Sequence, residues 1–173
     1  MKYTCWGAAR QVTGSMHLVE LDNGYTILID CGIDYEDKSN KEINAQFPFQ
    51  PKDINVLILT HAHIDHSGNI PNLVKQGFEG EIICTEPTAY LLESLWTDSV
   101  NIQNSNSKRK KSVKLFGYKE VKDAVGQLLT VRFNEPFQLY GNASFTMYEA
   151  GHIIGAASVR LEIEENGVKK NFG

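Results

Sequence analysis

The first half of the chain reads as strands joined by tight turns. Residues 2–7 form a short candidate strand, and the loop from Gly7 to Ser15 is bracketed by glycines. His17–Leu21 and Tyr25–Asp30 flank Asp22-Asn23-Gly24, a strong hairpin signal. Gly32 follows the second of these strands. A polar stretch from Asp34 to Asn44 reads as a loop or short helix, and Pro48 and Pro51 argue against helix just beyond it. The apolar run Val56-Leu57-Ile58-Leu59 reads as a buried strand.

Helical spacing takes over at Ser67 to Gln76, where Ile70, Leu73 and Val74 share one face and Gly77 is placed to end the helix. Glu81–Thr85 is a strand. Pro87 suits the first turn of a second helix, continued by Tyr90, Leu91, Leu92, Leu95 and Trp96. Residues 101–112 are polar and end in Lys108-Arg109-Lys110-Lys111, which predicts an exposed loop, with a phosphate-binding patch as the lesser reading. Tyr118–Leu128 is a further helix. Strands are predicted at 129–133, 136–140, 143–149, 156–163 and 168–172, the last two separated by Glu164-Glu165-Asn166-Gly167. Two groups of strands with helices between them predict an α/β (α+β) fold, its sheets packed on each other and its helices outside.

Composition narrows this only a little. The 173 residues suit one domain, and 42% hydrophobic with 22% charged residues can build a core. A formal net charge of −4 supplies no global basic field, so any nucleic-acid binding has to come from a local patch or from elsewhere in a larger protein. Cys5, Cys31 and Cys84 have no CxxC spacing, and each adjoins an apolar stretch, which predicts buried, reduced thiols in a cytoplasmic protein. The first residues lack the apolar core of a signal peptide, and no apolar run reaches membrane-spanning length.

The chemistry is concentrated in His61-Ala62-His63-Ile64-Asp65-His66, directly after the buried run. Three of the five histidines are here. His61 and His63, two apart at a strand end, can project to the same side. Four ligands on so short a segment suit two ions better than one, and known two-metal hydrolytic sites space their ions about 3.5–4 Å apart. His61 and His63 would hold one ion, Asp65 and His66 the other, and each ion needs further ligands. His152, in Gly151-His152-Ile153-Ile154-Gly155 at the end of strand 143–149, is the obvious candidate. Asp30 also ends a strand, and could either ligate or orient a histidine ring. His17, inside a strand, is read as structural.

At these residues the sequence resembles the metallo-β-lactamase superfamily, whose signature is HxHxDH. The loop Gly7–Ser15, Leu28-Ile29-Asp30-Cys31-Gly32, Thr60–Gly68, Cys84-Thr85-Glu86-Pro87-Thr88 and Gly151–Ala156 more closely resemble the β-CASP nucleases. Within these, the branch resembled is that of the cleavage and polyadenylation specificity factor endonuclease and its bacterial and archaeal relatives. The resemblance implies an αββα sandwich and two zinc ions. His61, His63 and His152 would bind the first, Asp65 and His66 the second, and Asp65 and Asp30 would belong to the catalytic machinery. It also implies a zinc-dependent endoribonuclease acting on single-stranded RNA, with no membrane partner, and is compatible with a homodimer of the parent protein.

In that family a metal-bridging aspartate directly follows a glycine at a strand end, whereas here Gly173 is the last residue. The β-CASP insertion and the closing strands and helix of the metallo-β-lactamase domain are absent too. The expectation is therefore an N-terminal portion, residues 1–173, of a longer protein, with an incomplete second metal site and no nuclease activity of its own. Two rival functions remain open. The superfamily signature alone would allow hydrolysis of a small thioester or lactam, against which the glycine loops argue. A non-catalytic RNA-binding subunit is opposed by the intact ligand set.

Overall fold

A computed structural model describes residues 1–36, 43–108 and 114–173. Among the described residues, ten strands form two sheets. β1 (Lys2–Gly7), β2 (Met16–Glu20), β3 (Thr26–Ile29), β4 (Val56–Ile58), β5 (Glu81–Thr85) and β6 (Leu128–Val131) lie side by side in that order. β1, β2 and β3 pair antiparallel, and β3 to β6 pair parallel. The second sheet is wholly antiparallel, ordered β10 (Val168–Phe172), β9 (Ala157–Glu165), β8 (Ala143–Glu149) and β7 (Phe137–Gln138).

The period of two along each strand sorts residues between two cores. Leu28, Leu57, Ile82 and Cys84 point to one face, where α2 (Ile70–Lys75), α3 (Glu86–Lys108) and α4 (Tyr118–Gly126) cover them with Leu73, Leu92, Trp96 and Val121. Ile27, Val56, Ile58 and Ile83 point to the other, against Phe145, Met147, Leu161 and Ile163 of the second sheet. The described layers are thus helices, sheet and sheet. Burial on both faces is why β4 is uniformly apolar. Among the described residues no helix is long and apolar enough to cross a membrane.

The predicted hairpin forms: the Leu21 N–H bonds the Tyr25 carbonyl at 2.9 Å, and Gly24 takes φ +86°. Several elements differ from the pattern. The helix expected over 67–76 is two pieces, α1 (Ile64–Ser67) and α2, because Asn69 donates its N–H to Cys31 O instead of continuing a helical ladder. Pro51–Asp53 forms a single 3-10 turn, with the proline in its first turn. The polar stretch read as a loop from residue 101 is helical as far as Lys108. There Gln103 Oε1 accepts the Leu115 N–H at 2.7 Å, and Asn101 Oδ1 accepts the Tyr118 hydroxyl proton at 2.7 Å. Tertiary partners override weak propensity. Arg109, Lys110 and Lys111, and residues 37–42 of the predicted polar loop, lie outside the described residues.

β9 runs on to Glu165, so its turn shrinks to Asn166-Gly167, both at positive φ (53° and 74°), as a two-residue type I′ hairpin requires. Cys31 and Cys84 are buried as expected, but Cys5 is exposed. β1 is an edge strand, and its apolar flanks do not bring it under cover.

Candidate metal centre

Three segments converge at the carboxyl ends of the parallel strands. The first is the turn after β4. Ala62 is fully buried, which throws His61 and His63 out on either side of it. The His63 carbonyl then accepts the N–H groups of His66 (2.9 Å) and Ser67 (2.8 Å), starting α1 and bringing Asp65 and His66 forward. Ser67 Oγ donates to Ala62 O at 2.8 Å, and the buried Trp96 indole N–H donates to Ser67 O at 3.0 Å.

The second segment runs from β3. Cys31 N donates to His66 O at 2.7 Å, Ser15 N to Asp65 O at 2.8 Å, and Gly32 N to Ser15 O at 3.0 Å. These three strands of backbone lie so close that a Cβ on Gly32 would fall 1.6 Å from Asp65 O. Only glycine fits there. The third segment is the loop after β8, which presents His152 to the histidines of the first.

His61, His63 and His152 offer ring nitrogens that all lie within 4.8 Å of one another. Their ring centroids are 4.9–5.0 Å apart and their planes 76–81° from one another, so the three imidazoles face a common point edge to edge. His152 Nε2 is 3.1 Å from His63 Nδ1. Zinc–nitrogen bonds of about 2.0–2.1 Å at the tetrahedral angle put neighbouring ligand nitrogens roughly 3.3–3.4 Å apart. The donor set and its spacing therefore fit one tetrahedral ion with a fourth position left open.

Asp65 and His66 stand beside this triangle. His66 Nε2 lies 3.6 Å from Asp65 Oδ2, and the His61 and His66 rings are 4.1 Å apart. Asp30 lies behind them. It takes a left-handed backbone (φ 59°), which is uncommon outside glycine, and is 2% exposed. Its carboxylate accepts the Thr60 N–H at 2.9 Å, the Thr60 hydroxyl at 3.0 Å and the Ser15 hydroxyl at 3.4 Å, and meets His66 Nδ1 at 2.6 Å. With its oxygens so engaged, Asp30 is placed to orient a ring. This is one of the two roles left open for it.

Thr60 had no role assigned from sequence, yet it links the two halves. Its hydroxyl donates to Asp30, so its oxygen is free to accept from His61 Nδ1, 2.9 Å away. That chain puts the proton of neutral His61 on Nδ1 and leaves the Nε2 lone pair for a ligand. The same logic holds for His66, whose Nδ1 proton faces Asp30. The sequence signals for Thr60 were its place between a buried strand and the first histidine and its membership of the Thr60–Gly68 segment.

The two histidines are tuned in opposite directions. Burial, then the neighbouring imidazoles His66, His63 and His152, lower the His61 pKa to about 4, with Asp30 opposing. Burial also disfavours charge on His66, but the hydrogen bond to Asp30 and the charges of Asp30 and Asp65 outweigh it and raise its pKa. A cavity of about 590 Å³ opens in front of the site, polar at Asp30, Thr60, His61, His66 and His152 and apolar at Val159, Leu161 and Phe172. His17 lines it too, but its Nδ1 is 2.9 Å from the Tyr3 hydroxyl, against whose ring it stacks, away from the triangle.

A two-sheet sandwich with ligands at the carboxyl ends of its strands defines a class, and the sequence agrees. Residues 9–134 match the model of the metallo-β-lactamase superfamily, and the chain belongs to that superfamily. It is 35% identical over 159 residues to ribonuclease TTHA0252 of Thermus thermophilus, a match covering 92% of this chain and 34% of that protein. It is 32% identical over 161 residues to the transcription termination factor FttA of Methanocaldococcus jannaschii, covering 92% of this chain and 24% of that protein. These relatives are of the β-CASP type, in line with the resemblance read from the glycine loops. The chain thus spans about a third or less of the length of the curated relatives it matches. Among solved structures, the Rm3 metallo-β-lactamase aligns with a TM-score of 0.59 at 20% identity over 93% of this chain and 55% of that one. The metallo-β-lactamase MEM-A1 aligns at 0.58 and 21% over 92% and 55%. These likenesses bear out the fold. The superfamily is a metal-binding one, and the three-histidine cluster is where this chain fits it.

Proposed function

We propose that the protein to which this chain belongs is a zinc-dependent endoribonuclease that hydrolyses single-stranded RNA. The observation that carries this reading is the convergence of His61, His63 and His152 with Asp65 and His66 alongside, in a chain whose relatives include a protein named as a ribonuclease. His61, His63 and His152 hold one zinc ion, and Asp65 and His66 contribute to a second. Two bound ions would supply Lewis acidity to the scissile phosphate and acidify an attacking water.

The chain's own residues prepare that chemistry. Thr60 and Asp30 keep protons on the Nδ1 atoms of His61 and His66, so both rings present Nε2. The lowered pKa of His61 keeps it neutral at physiological pH, so a metal there does not compete with a proton. Asp65 supplies a carboxylate oxygen beside His66 and helps orient the nucleophile. Burial of Asp30 and the clamp of α1 by Cys31, Ser15 and Trp96 fix these atoms before substrate arrives, so less reorganisation is needed during reaction.

The 173-residue chain alone is proposed not to cleave RNA, because the second ion finds only Asp65 and His66 as free protein donors among the described residues. The test is cleavage of a single-stranded RNA by the full-length protein loaded with zinc. Internal cuts that disappear in the His63→Ala variant are expected. No cleavage by the zinc-loaded protein, or an undiminished rate in His63→Ala, would overturn the proposal.

A further inference from the structure

His152, like His63, is an exposed member of the triangle, and its loop has little rigidity of its own. Gly151 and Gly155 both take positive φ (66° and 79°), and Ile153 is only partly buried. Two backbone bonds close the loop on itself, from Ala150 N to Ala156 O and from Ala156 N to Ile153 O, each at 3.0 Å. They do not tell the loop where His61 and His63 are.

That information comes from one threonine at the end of the other sheet and one in the helix that follows it. Thr85 ends β5, the parallel neighbour of the strand that delivers His61, and Thr88 sits one turn into α3. Their side chains are 1% and 0% exposed. Both hydroxyls reach one acceptor, the Gly155 carbonyl, at 2.6 Å from Thr85 Oγ1 and 3.0 Å from Thr88 Oγ1, and they are 3.0 Å from each other. Each hydroxyl has one proton, so either both donate to the two lone pairs of that carbonyl or one relays through the other. In both cases a loop carbonyl is held from two sides by hydroxyls that, among the described residues, bond only to it and to each other. The fit is tight: a Cβ on Gly155 would lie 2.6–2.9 Å from Thr88 N, Thr88 Oγ1 and Thr85 Oγ1. Two residues on, Ala157 N donates to Thr60 O at 2.9 Å, tying the same loop to the residue before His61.

We infer that Thr85 and Thr88 are positioning residues for His152: their paired hydroxyls register the loop after β8 against β4 and β5, and so place the third imidazole over His61 and His63. This rests on the metal reading above and deepens it. Two unexceptional threonines, 64–67 residues from His152 in sequence, would set its affinity for zinc without touching the ion.

The experiment compares Thr85→Val/Thr88→Val, which keeps shape and removes both hydroxyls, with Thr85→Ser/Thr88→Ser, which keeps the hydroxyls. Zinc affinity of the 173-residue chain is measured by chelator competition, and the proximity of the His152 and His63 rings in metal-free protein by nuclear Overhauser effects. Loss of orienting groups of this kind typically costs about 10–100-fold in metal affinity. The valine pair is expected to lose at least about tenfold with its circular dichroism unchanged, and to lose the ring-to-ring effect, while the serine pair keeps both. If the valine pair does not fold, Thr88→Val alone, which leaves the 2.6 Å bond, carries the same comparison with Thr88→Ser. Folded valine variants that bind zinc like the parent, or serine variants that lose as much as valine ones, overturn the inference. Should the parent chain bind no zinc, the metal reading fails. The ring-to-ring effect then decides the positioning role separately, and its absence in the parent chain would overturn that too.

Discussion

The triangle of His61, His63 and His152 and the neighbouring pair of Asp65 and His66 are built from adjacent residues but by different means. The triangle draws its donors from two distant segments, and its buried member is held neutral by burial and by like-charged neighbours. The pair draws its donors from one four-residue helix, and its histidine is biased toward the charged form by Asp30 and Asp65. The first arrangement is ready to give lone pairs to a cation. The second holds positive charge more readily when no cation is present, so a proton competes with a metal there more than it does at the triangle. The difference argues for sequential loading, triangle first.

Breaking the triangle should have the largest effect. His63→Ala or His152→Ala removes one of three donors, and zinc affinity of the chain should fall by more than the roughly 100-fold that loss of an orienting group can cost. Asp65→Ala should leave the first zinc within a few-fold of its original affinity. Isothermal titration should show one tightly held zinc per chain before substitution. Two tightly held ions, or equal losses for His63→Ala and Asp65→Ala, would erase the contrast between the halves.

The opposite tuning of the histidines predicts opposite pH dependences in metal-free protein. His61 has a folded pKa of about 4 against 6.5 for an unperturbed ring, so the folded state disfavours its charged form. Its contribution is fully present above pH 6.5 and is lost as pH falls from there through 4. His66 is raised, so its contribution is present below pH 6.5 and is lost as pH rises through the folded value. Urea denaturation between pH 4 and 8 should show His61→Gln flattening the acid limb and His66→Gln the other. Identical profiles for the two variants would refute the assignment.

Much of this contrast was readable from the residues alone. The buried run at Val56, the cluster that follows and the glycine-flanked His152 name the candidate ligands, because hydrophobic periodicity locates a strand end and imidazoles at a strand end have few bland uses. The paired sheets followed from the same periodicity. What was not readable depended on tertiary partners. No local rule predicts that Asp30 takes a left-handed backbone, or that Thr60 bridges it to His61. The last turns of α3 are polar and poor helix formers. They are held by hydrogen bonds with Leu115 and Tyr118 that no local pattern reveals. Cys5 looked buried because its neighbours are apolar, but an edge strand is covered only by what packs on it.

An effect smaller than breaking the triangle should come from the residue that joins the halves. Asp30→Asn keeps the volume and one carbonyl oxygen, which can still accept the Thr60 N–H. It puts an amide donor where the carboxylate met His66 Nδ1 and the Thr60 hydroxyl. The raised pKa of His66 should fall, since the hydrogen bond and charge that raise it are gone, and its neutral form should move the proton to Nε2, the atom needed by a metal. The His61 tautomer should loosen too, because Thr60 loses the acceptor for its own proton. A loss of about 10–100-fold in zinc affinity is expected, smaller than for His63→Ala because all three donors of the triangle remain. Nitrogen-15 spectra of the imidazoles report both tautomers directly. An Asp30→Asn variant in which His66 titrates as before and keeps its proton on Nδ1 would show that the two halves are set independently, and that Asp30 serves the backbone of the β3 turn instead of the histidines.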